Sequence, residues 1–263
     1  MSLPQEWYAA INLRRSRRRY DRSKSIEPAV VEKLHRACSN FRPFSGVRIE
    51  FFPEPPADIF AHAFGFYSLI QNAPAFFAFI GDMSDNHVQE KMGYTGEGII
   101  LEATALGLDT CWVALSYRPG SANSIVKLSP GEKLIAVSPT GYATDIITFE
   151  EKAITGFGAM HKRKPLSTMV SGLEQAQWPT WIGCALEAAR LSPSATNRQP
   201  WNFHIENDSI TVSVKNRGME FNVSKRLDCG IAMLHLELGA GNQGIQGEWE
   251  LLEQPAVARF KIK

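Results

Sequence analysis

The sequence has few of the features that identify a protein at once. Four cysteines occur in 263 residues. Cys38, Cys111, Cys184 and Cys229 are far apart and form no CxxC or Cys/His ligand spacing. Neither a disulfide framework nor a zinc or dithiol centre is expected, no metal site is assigned, and a reducing cytoplasm is the expected compartment. Long apolar runs are also missing. The longest, Ala73 to Ile80, falls far short of the roughly 20 residues that span a bilayer. The opening MSLPQEWYAAINLRRSRRR has no uninterrupted apolar core of the signal-peptide kind. No membrane partner is therefore expected. Charge of one sign is not in excess: 28 Lys and Arg face 27 Asp and Glu, for a net +1. A global basic field that would attract nucleic acid or anionic lipid is absent. There is no Rossmann-type GxGxxG between a strand and a helix, no Ser/His/Asp set and no paired-carboxylate arrangement. His35, His62, His87, His161, His204 and His235 show no ligand spacing and read as surface or packing residues.

The chain does have the composition of a folded globular protein, 44% hydrophobic and 21% charged, and an internal repeat. Gly96 to Gly107 (GEGIILEATALG) and Gly230 to Gly241 (GIAMLHLELGAG) are both apolar nearly all round, as a helix buried on most sides reads. Upstream of each lies a helix-like segment, Glu27 to Cys38 and Thr180 to Leu191, then an irregular loop, then a strand. The first strand is Val47 to Phe52, with Val47, Ile49 and Phe51 on one face. The second is Trp201 to Ile205, which a turn at Glu206-Asn207-Asp208 joins to the alternating Ile210, Val212 and Val214 as a hairpin. Further strands are predicted at Pro74 to Ile80 and Leu134 to Ser138. The fold class is α+β, with two related α/β lobes at residues 1–158 and 159–263.

Two segments carry chemistry. In Ala189-Arg-Leu-Ser-Pro-Ser-Ala-Thr-Asn-Arg-Gln-Pro-Trp-Asn-Phe203, Pro193 ends the preceding helix because it supplies no amide donor and biases Ser192 out of the helical region. The small residues Ser194, Ala195 and Thr196 would let a flat ligand approach the backbone. Asn197 and Gln199 offer paired donors and acceptors suited to the edge of a heteroaromatic ring. Arg198 is expected to be exposed or paired. The second segment is Arg14-Arg-Ser-Arg-Arg-Arg-Tyr20, where Arg14, Arg15, Ser16 and Arg18 could hold a phosphate dianion through charge-assisted hydrogen bonds. Taken alone, this cluster reads first as a solvated basic run, or as a nuclear-localisation or nucleic-acid patch, and only the Ala189 to Phe203 segment tips it toward phosphate. The near-zero net charge and the lack of interleaved aromatics count against nucleic acid.

The run SPSATNRQPWNF resembles the flavin-binding loop of the nitroreductase family, and the arginine segment resembles that family's N-terminal R-x-S-x-R/K-x-F/Y motif. Weaker likenesses follow. Ser138-Pro-Thr-Gly-Tyr142 stands where the family has a P-x-E-G-type turn facing the flavin pyrimidine; Thr140, Gly141 and Tyr142 occupy it here and the glutamate is absent. His161-Lys-Arg-Lys-Pro165 is similar to a late basic segment that completes the phosphate site, with Arg163 the best match, and reads equally as an exposed linker. The resemblance implies FMN as cofactor, NADH or NADPH as electron donor, and a small electron-poor acceptor such as a nitroaromatic or quinone, with the chemistry on flavin N5 and no catalytic side chain.

The first lobe keeps the arginine motif, but its loop, Ser39-Asn-Phe-Arg-Pro-Phe-Ser-Gly46, lacks the PSxxNxQPW pattern. The second lobe keeps the loop and has no more than HKRKPLS for the arginines. The resemblance thus implies a single-chain pseudo-dimer with one intact flavin site, existing as a monomer or weak homodimer. The alternative is a flavin-binding protein without efficient turnover. Phe66, Tyr67, Trp112, Trp249 and Tyr142 are candidates either for pocket walls or for core.

Overall fold

Alternation and burial dictate the first sheet. In β1, Val47–Phe52, every second residue is buried, while β2, Ala75–Asp82, is buried along almost its whole length. A strand of this second kind has to lie in a sheet's interior. The computed structural model, which describes residues 3–56, 58–60, 70–114, 117–144, 162–215 and 223–263, places it there. The order is β1-β2-β4-β3, with β3 at Asp109–Thr110 and β4 at Glu132–Gly141, and every pairing is antiparallel. Helix α2, Pro28–Asn40, has proline in its first turn, where no amide hydrogen is needed, and packs on β1. Phe76, Ala78, Ile80, Cys111, Val113 and Val137 belong to the core of this sheet. Phe52 stacks on Phe76 at 5.0 Å, and Trp112 on Phe79 at 4.3 Å.

The second sheet has the order β5-β6-β7-β9-β8. Its strands are β5 Val170–Gly172, β6 Trp201–Ile205, β7 Ser209–Val214, β8 Gly247–Leu251 and β9 Ala256–Ile262. Only β5 with β6 is parallel. The predicted hairpin is present, with Phe203 opposite Val212 and Ile205 opposite Ile210. The helices are α1 Gln5–Leu13, α3 Val88–Ala105, the short α4 Pro119–Asn123, α5 Thr180–Arg190 and α6 Lys225–Gly241. Helix α6 packs on α5 and on β6, β7 and β9. Its first turn is closed by Ser224, whose hydroxyl accepts the Arg226 amide hydrogen.

The chain divides into two compact units. One comprises Met1–Asn12, Gln89–Glu97 and His161–Lys263 and holds the five-stranded sheet; the other comprises Leu13–Val88 and Gly98–Met160 and holds the four-stranded sheet. Both apolar segments of the repeat are helical, but α3 starts eight residues before Gly96 and α6 starts five before Gly230. The extra turns of α3 carry Glu90 and Thr95, both fully buried, so the apolar pattern alone does not reveal them. No helix among the described residues is long and apolar enough to cross a membrane.

Within the first unit, the opening turns of α3 cross α6 with backbone against backbone. A Cβ at Gly93 would lie 2.0 Å from the Leu227 carbonyl oxygen, and one at Gly230 would lie 2.1 Å from that of Glu90. Only glycine permits this approach. Polar side chains flank it. Arg226 Nε donates to Glu90 at 2.9 Å, and its remaining nitrogens reach the carbonyls of Leu252 and Ala256 at 2.8 Å. Fully buried His235 sits 3.0 Å from Glu97 and 3.1 Å from the Ala188 carbonyl. Glu237 accepts from Tyr94 at 2.6 Å and from Trp249 at 2.7 Å, and burial raises its carboxyl pKa above the usual range.

Two predictions follow from these packings. Gly93→Ala and Gly230→Ala each destabilise the protein by about 3 kcal/mol, the upper end of overpacking costs, since the atoms the methyl group would meet are backbone and not movable side chains. Gly183→Ala, in α5 with open space around it, raises stability by about 0.5–1 kcal/mol. Urea unfolding of the three variants checks the contrast. In the other unit, the Arg48 guanidinium meets Glu132 with two 2.8 Å bonds and lowers its pKa to about 2 from an ordinary 4.5. A depressed carboxylate stabilises the fold above its unfolded pKa and stops doing so as pH falls through the folded value. Glu132→Gln should therefore be less stable than the parent above pH 4.5, with the difference shrinking as pH falls from there and vanishing below about 2; a constant difference across that window in pH-dependent unfolding would refute the assignment.

Candidate functional site

The arginine segment is extended, so its side chains alternate. Arg14, Arg18 and Tyr20 are buried and Ser16 is half-buried, whereas Arg15 is exposed with its guanidinium on the Arg14 carbonyl at 2.8 Å. Backbone bonds tie the segment to the four-stranded unit. Arg17 donates to Thr110 at 2.9 Å, Tyr20 to Gln71 at 3.0 Å, and Thr144 to Arg19 at 3.1 Å, while Ser16 forms a bridge with Thr110. The Tyr20 hydroxyl lies 2.9 Å from the Arg17 carbonyl and 3.0 Å from that of Pro139. Burial, aided by Cys111 and Asp109, holds its pKa well above the phenol range, so it remains a donor. Arg14 Nη1 lies 3.4 Å from Ser16 Oγ. The buried Thr110 hydroxyl, across the bridge from Ser16, has no hydrogen-bond partner.

Residues 138–141 form the end of β4 and not the turn expected from sequence. Thr140 pairs with Ala75 on one side and Thr110 on the other, and is fully buried. Proline is tolerated at 139 for a local reason. Val137 exchanges both backbone bonds with Val113, and Pro139, two residues on, turns its nitrogen to the same side, where pairing is interrupted before Thr110. Gly141 is packed so that an added Cβ would meet the Pro74 ring at 2.5 Å. Half-buried Tyr142 accepts the Asp21 amide hydrogen through its carbonyl at 2.8 Å.

The loop lies in the other unit. After Leu191 caps α5, Ser192 is fully buried with its hydroxyl unpartnered, then Pro193 and an extended Ser194 lead into a 3-10 turn at Ala195–Asn197. Thr196, Asn197 and Gln199 all have positive φ, at 51°, 55° and 48°. Such backbone costs on the order of 1–3 kcal/mol per residue away from glycine and persists only where the surroundings enforce it. Two sets of bonds do so. Buried Asp228 on α6 accepts the Ala195 amide at 3.1 Å and the Arg198 guanidinium at 2.6 Å, and Arg198 also reaches the Val223 carbonyl at 2.9 Å. On the other side, Arg163 donates to Asn197 Oδ1 at 2.9 Å, Asn197 Nδ2 to the Lys162 carbonyl at 2.9 Å, and the Lys164 amide to Gln199 Oε1 at 2.8 Å. Ser194 Oγ closes the turn on the Gln199 amide at 2.9 Å.

Of the residues singled out from sequence, Arg14, Ser16 and Arg18 share one side of one segment, and Arg163 is joined directly to Asn197. Arg198 is paired. Lys164 belongs to the basic segment singled out with Arg163, whereas Asp228 carries no such mark, because nothing local identifies an aspartate in a first helical turn as the anchor of a loop some thirty residues away. Trp249 is tied to Glu237; His161, Phe66 and Tyr67 lie outside the described residues. Among the described residues no group of His, Cys, Asp and Glu is placed to hold a metal ion.

The profile of the family described as "Putative TM nitroreductase" matches residues 6–240. The chain belongs to the nitroreductase family. It is thus an oxidoreductase of α+β fold with two sheets. A crystal structure of a Thermotoga maritima protein, likewise described as a putative nitroreductase, superposes with a TM-score of 0.64 over 97% of this chain and 93% of its own, at 19% identity. A nitroreductase family protein of Clostridium difficile 630 gives a TM-score of 0.47 at 21% identity, over 63% of this chain and 96% of its own. An FMN-dependent nitroreductase of Clostridium difficile R20291 gives 0.44 at 18%, over 52% and 87%. No curated protein matches the nitroreductase chain.

Asp228→Ala tests the anchor of the loop. Removing it leaves Arg198 without its carboxylate, so stability should fall by about 3 kcal/mol and the bond after Arg198 should become more readily cut by trypsin. Denaturant unfolding and timed proteolysis read the two effects.

Proposed function

We propose that this nitroreductase is an FMN-dependent oxidoreductase that takes hydride from NADH or NADPH and reduces small electron-poor acceptors such as nitroaromatics and quinones. The observation that carries the reading is the presence in one chain of a buried arginine segment and a strained, polar loop. Each has an orphaned hydroxyl beside it, Thr110 in one case and Ser192 in the other. The donor set suits the cofactor. Arg14, Ser16 and Arg18 would receive the phosphate dianion, for which guanidinium and hydroxyl donors are the natural ligands. Pro193, Ser194, Ala195 and Thr196 would face the flat ring system, with Asn197 and Gln199 near its polar edge and Tyr142 and Arg163 in its surroundings; Arg15, turned to the other side of its segment, and Thr140 and Gly141, buried in a paired strand, are the expected residues whose geometry does not favour contact with it. When bound, FMN supplies the hydride-accepting centre. The side chains bind and orient it, and none need act as acid or base.

The lobes 1–158 and 159–263 are proposed as the halves of a pseudo-dimer, active as a monomer or weak homodimer in the cytoplasm. The reciprocal crossing of α3 and α6 supports this: Gly93 meets the residue three before Gly230, and Gly230 meets the residue three before Gly93. Such reciprocity is the mark of two-fold-related helices. A second reading, a flavin-binding protein without efficient turnover, draws on Thr140 standing in a paired strand where the family has an amide-presenting turn with glutamate.

Incubation with FMN, desalting and anaerobic titration with NADPH and NADH should give near one flavin per chain, bleached by a nicotinamide. Bands that persist favour the second reading, and no bands remove both. Arg18→Ala should weaken FMN by roughly 10- to 100-fold, the loss of a charged hydrogen bond to the phosphate.

A further inference from the structure

The basic segment 162–164 is bound to the loop through groups that fix how the loop's amides point. A guanidinium only donates, so the Asn197 atom that Arg163 Nη1 meets at 2.9 Å must be the carboxamide oxygen. A backbone carbonyl only accepts, so the atom facing Lys162 O at 2.9 Å must be the carboxamide nitrogen. Asn197 therefore has one permitted orientation. Gln199 is held by the same logic: its oxygen accepts the Lys164 amide hydrogen at 2.8 Å, and its nitrogen donates to Lys162 O at 3.1 Å. Arg163 is itself anchored, since Nη2 donates to the carbonyl of Leu191 at 3.1 Å. That residue caps α5, where the helix dipole favours a cation.

We infer that Arg163 is a positioning residue, which orients the Asn197 carboxamide toward the ligand edge, and is not a ligand of the phosphate. The inference rests on the proposed flavin reading for the role of the loop, and it revises the part expected of Arg163 from sequence. A side chain that bridges the end of α5 and the Asn197 oxygen fixes which atoms the loop presents. Its loss takes the charged donor from the Asn197 oxygen and leaves the carboxamide held only by the Lys162 carbonyl at 2.9 Å and the longer 3.3 Å contact with Gln199 Nε2, and ligand affinity then falls whether or not the ligand carries a phosphate.

The test compares FMN with riboflavin, which share the ring and differ in the phosphate. Arg163→Met should weaken both by the same factor, about tenfold, leaving the ratio of the two affinities at its parental value. Arg18→Ala should reduce that ratio. A tenfold greater loss for FMN than for riboflavin in Arg163→Met would make Arg163 a phosphate ligand and overturn the inference. Unchanged affinity for both would make it merely structural, and would overturn it equally. A flavin-free arm is a double-mutant cycle of Arg163→Met with Asn197→Ala by urea unfolding of the apoprotein. Coupling of at least about fivefold in the folding equilibrium is expected, and additivity would overturn the contact. Should the parent bind neither flavin while the cycle shows coupling, the contact stands and the proposed function falls.

Discussion

The crossing of α3 and α6 is the constraint on which the five-stranded unit depends. Two helices can bring their backbones this close only where both lack a Cβ, and Gly93 and Gly230 supply that. At the two glycines themselves there is no side chain to set the register. The polar pairs on either side do so instead. Glu90 with Arg226, Glu97 with His235, and Glu237 with Tyr94 are each buried or largely so, and each is satisfied only at one relative position of the helices. Removing charges from water is costly, so these pairs add less net stability than their short distances suggest. Their effect is to make every alternative register worse, because a one-turn slip would leave a buried carboxylate and a buried guanidinium without partners.

The candidate loop takes its position from the same helix. Asp228 is adjacent to Leu227, whose carbonyl meets Gly93, and stands two residues before Gly230. Its carboxylate holds both Ala195 and Arg198. The geometry of the loop is therefore set by a side chain whose own backbone is locked in the crossing. The His235 ring carries a related constraint. The Ala188 carbonyl can only accept, so Nδ1 bears hydrogen and Nε2 shares with Glu97, which pins α5 to both crossing helices ahead of the loop. Sites built on rigid elements hold their groups more closely than sites on loops alone. Here a loop acquires that rigidity by borrowing it from α6.

Much of this was legible in the sequence. Period-two burial marked β1, β6 and β7, and the glycine-flanked apolar segments marked the helices that cross. The arginine motif and the loop are legible as chemistry from residue type and spacing alone. What escaped notice has a common cause. The opening turns of α3 contain Glu90, Thr95 and Glu97, which look like solvent-facing residues until their partners on a distant helix are known. Strands β8 and β9 were missed because their charged residues face partners along the sheet, as in Glu248 with Lys263 and Glu250 with Arg259. Asp228 belongs to the same class. Hydrophobic pattern is a local property, whereas the pairing of polar groups is settled only by tertiary structure.

The strained loop shows why such pairing is worth its cost. Glycine at 196, 197 and 199 would relieve the positive φ values. Asparagine tolerates that region moderately well, but threonine and glutamine do not. Glycine would also remove the Asn197 and Gln199 carboxamides, and with them every bond to Arg163, the Lys162 carbonyl and the Lys164 amide that runs through those side chains. The loop would then be relaxed and unordered. Backbone strain and side-chain bonding thus oppose each other within five residues, and the bonding prevails because Asp228 and the 162–164 segment grip the loop from two directions. A conformation so maintained is available to a ligand without further ordering, which lowers the entropy lost on binding. That preorganisation, more than any single contact, is what the Asp228 and Arg163 anchors give the loop.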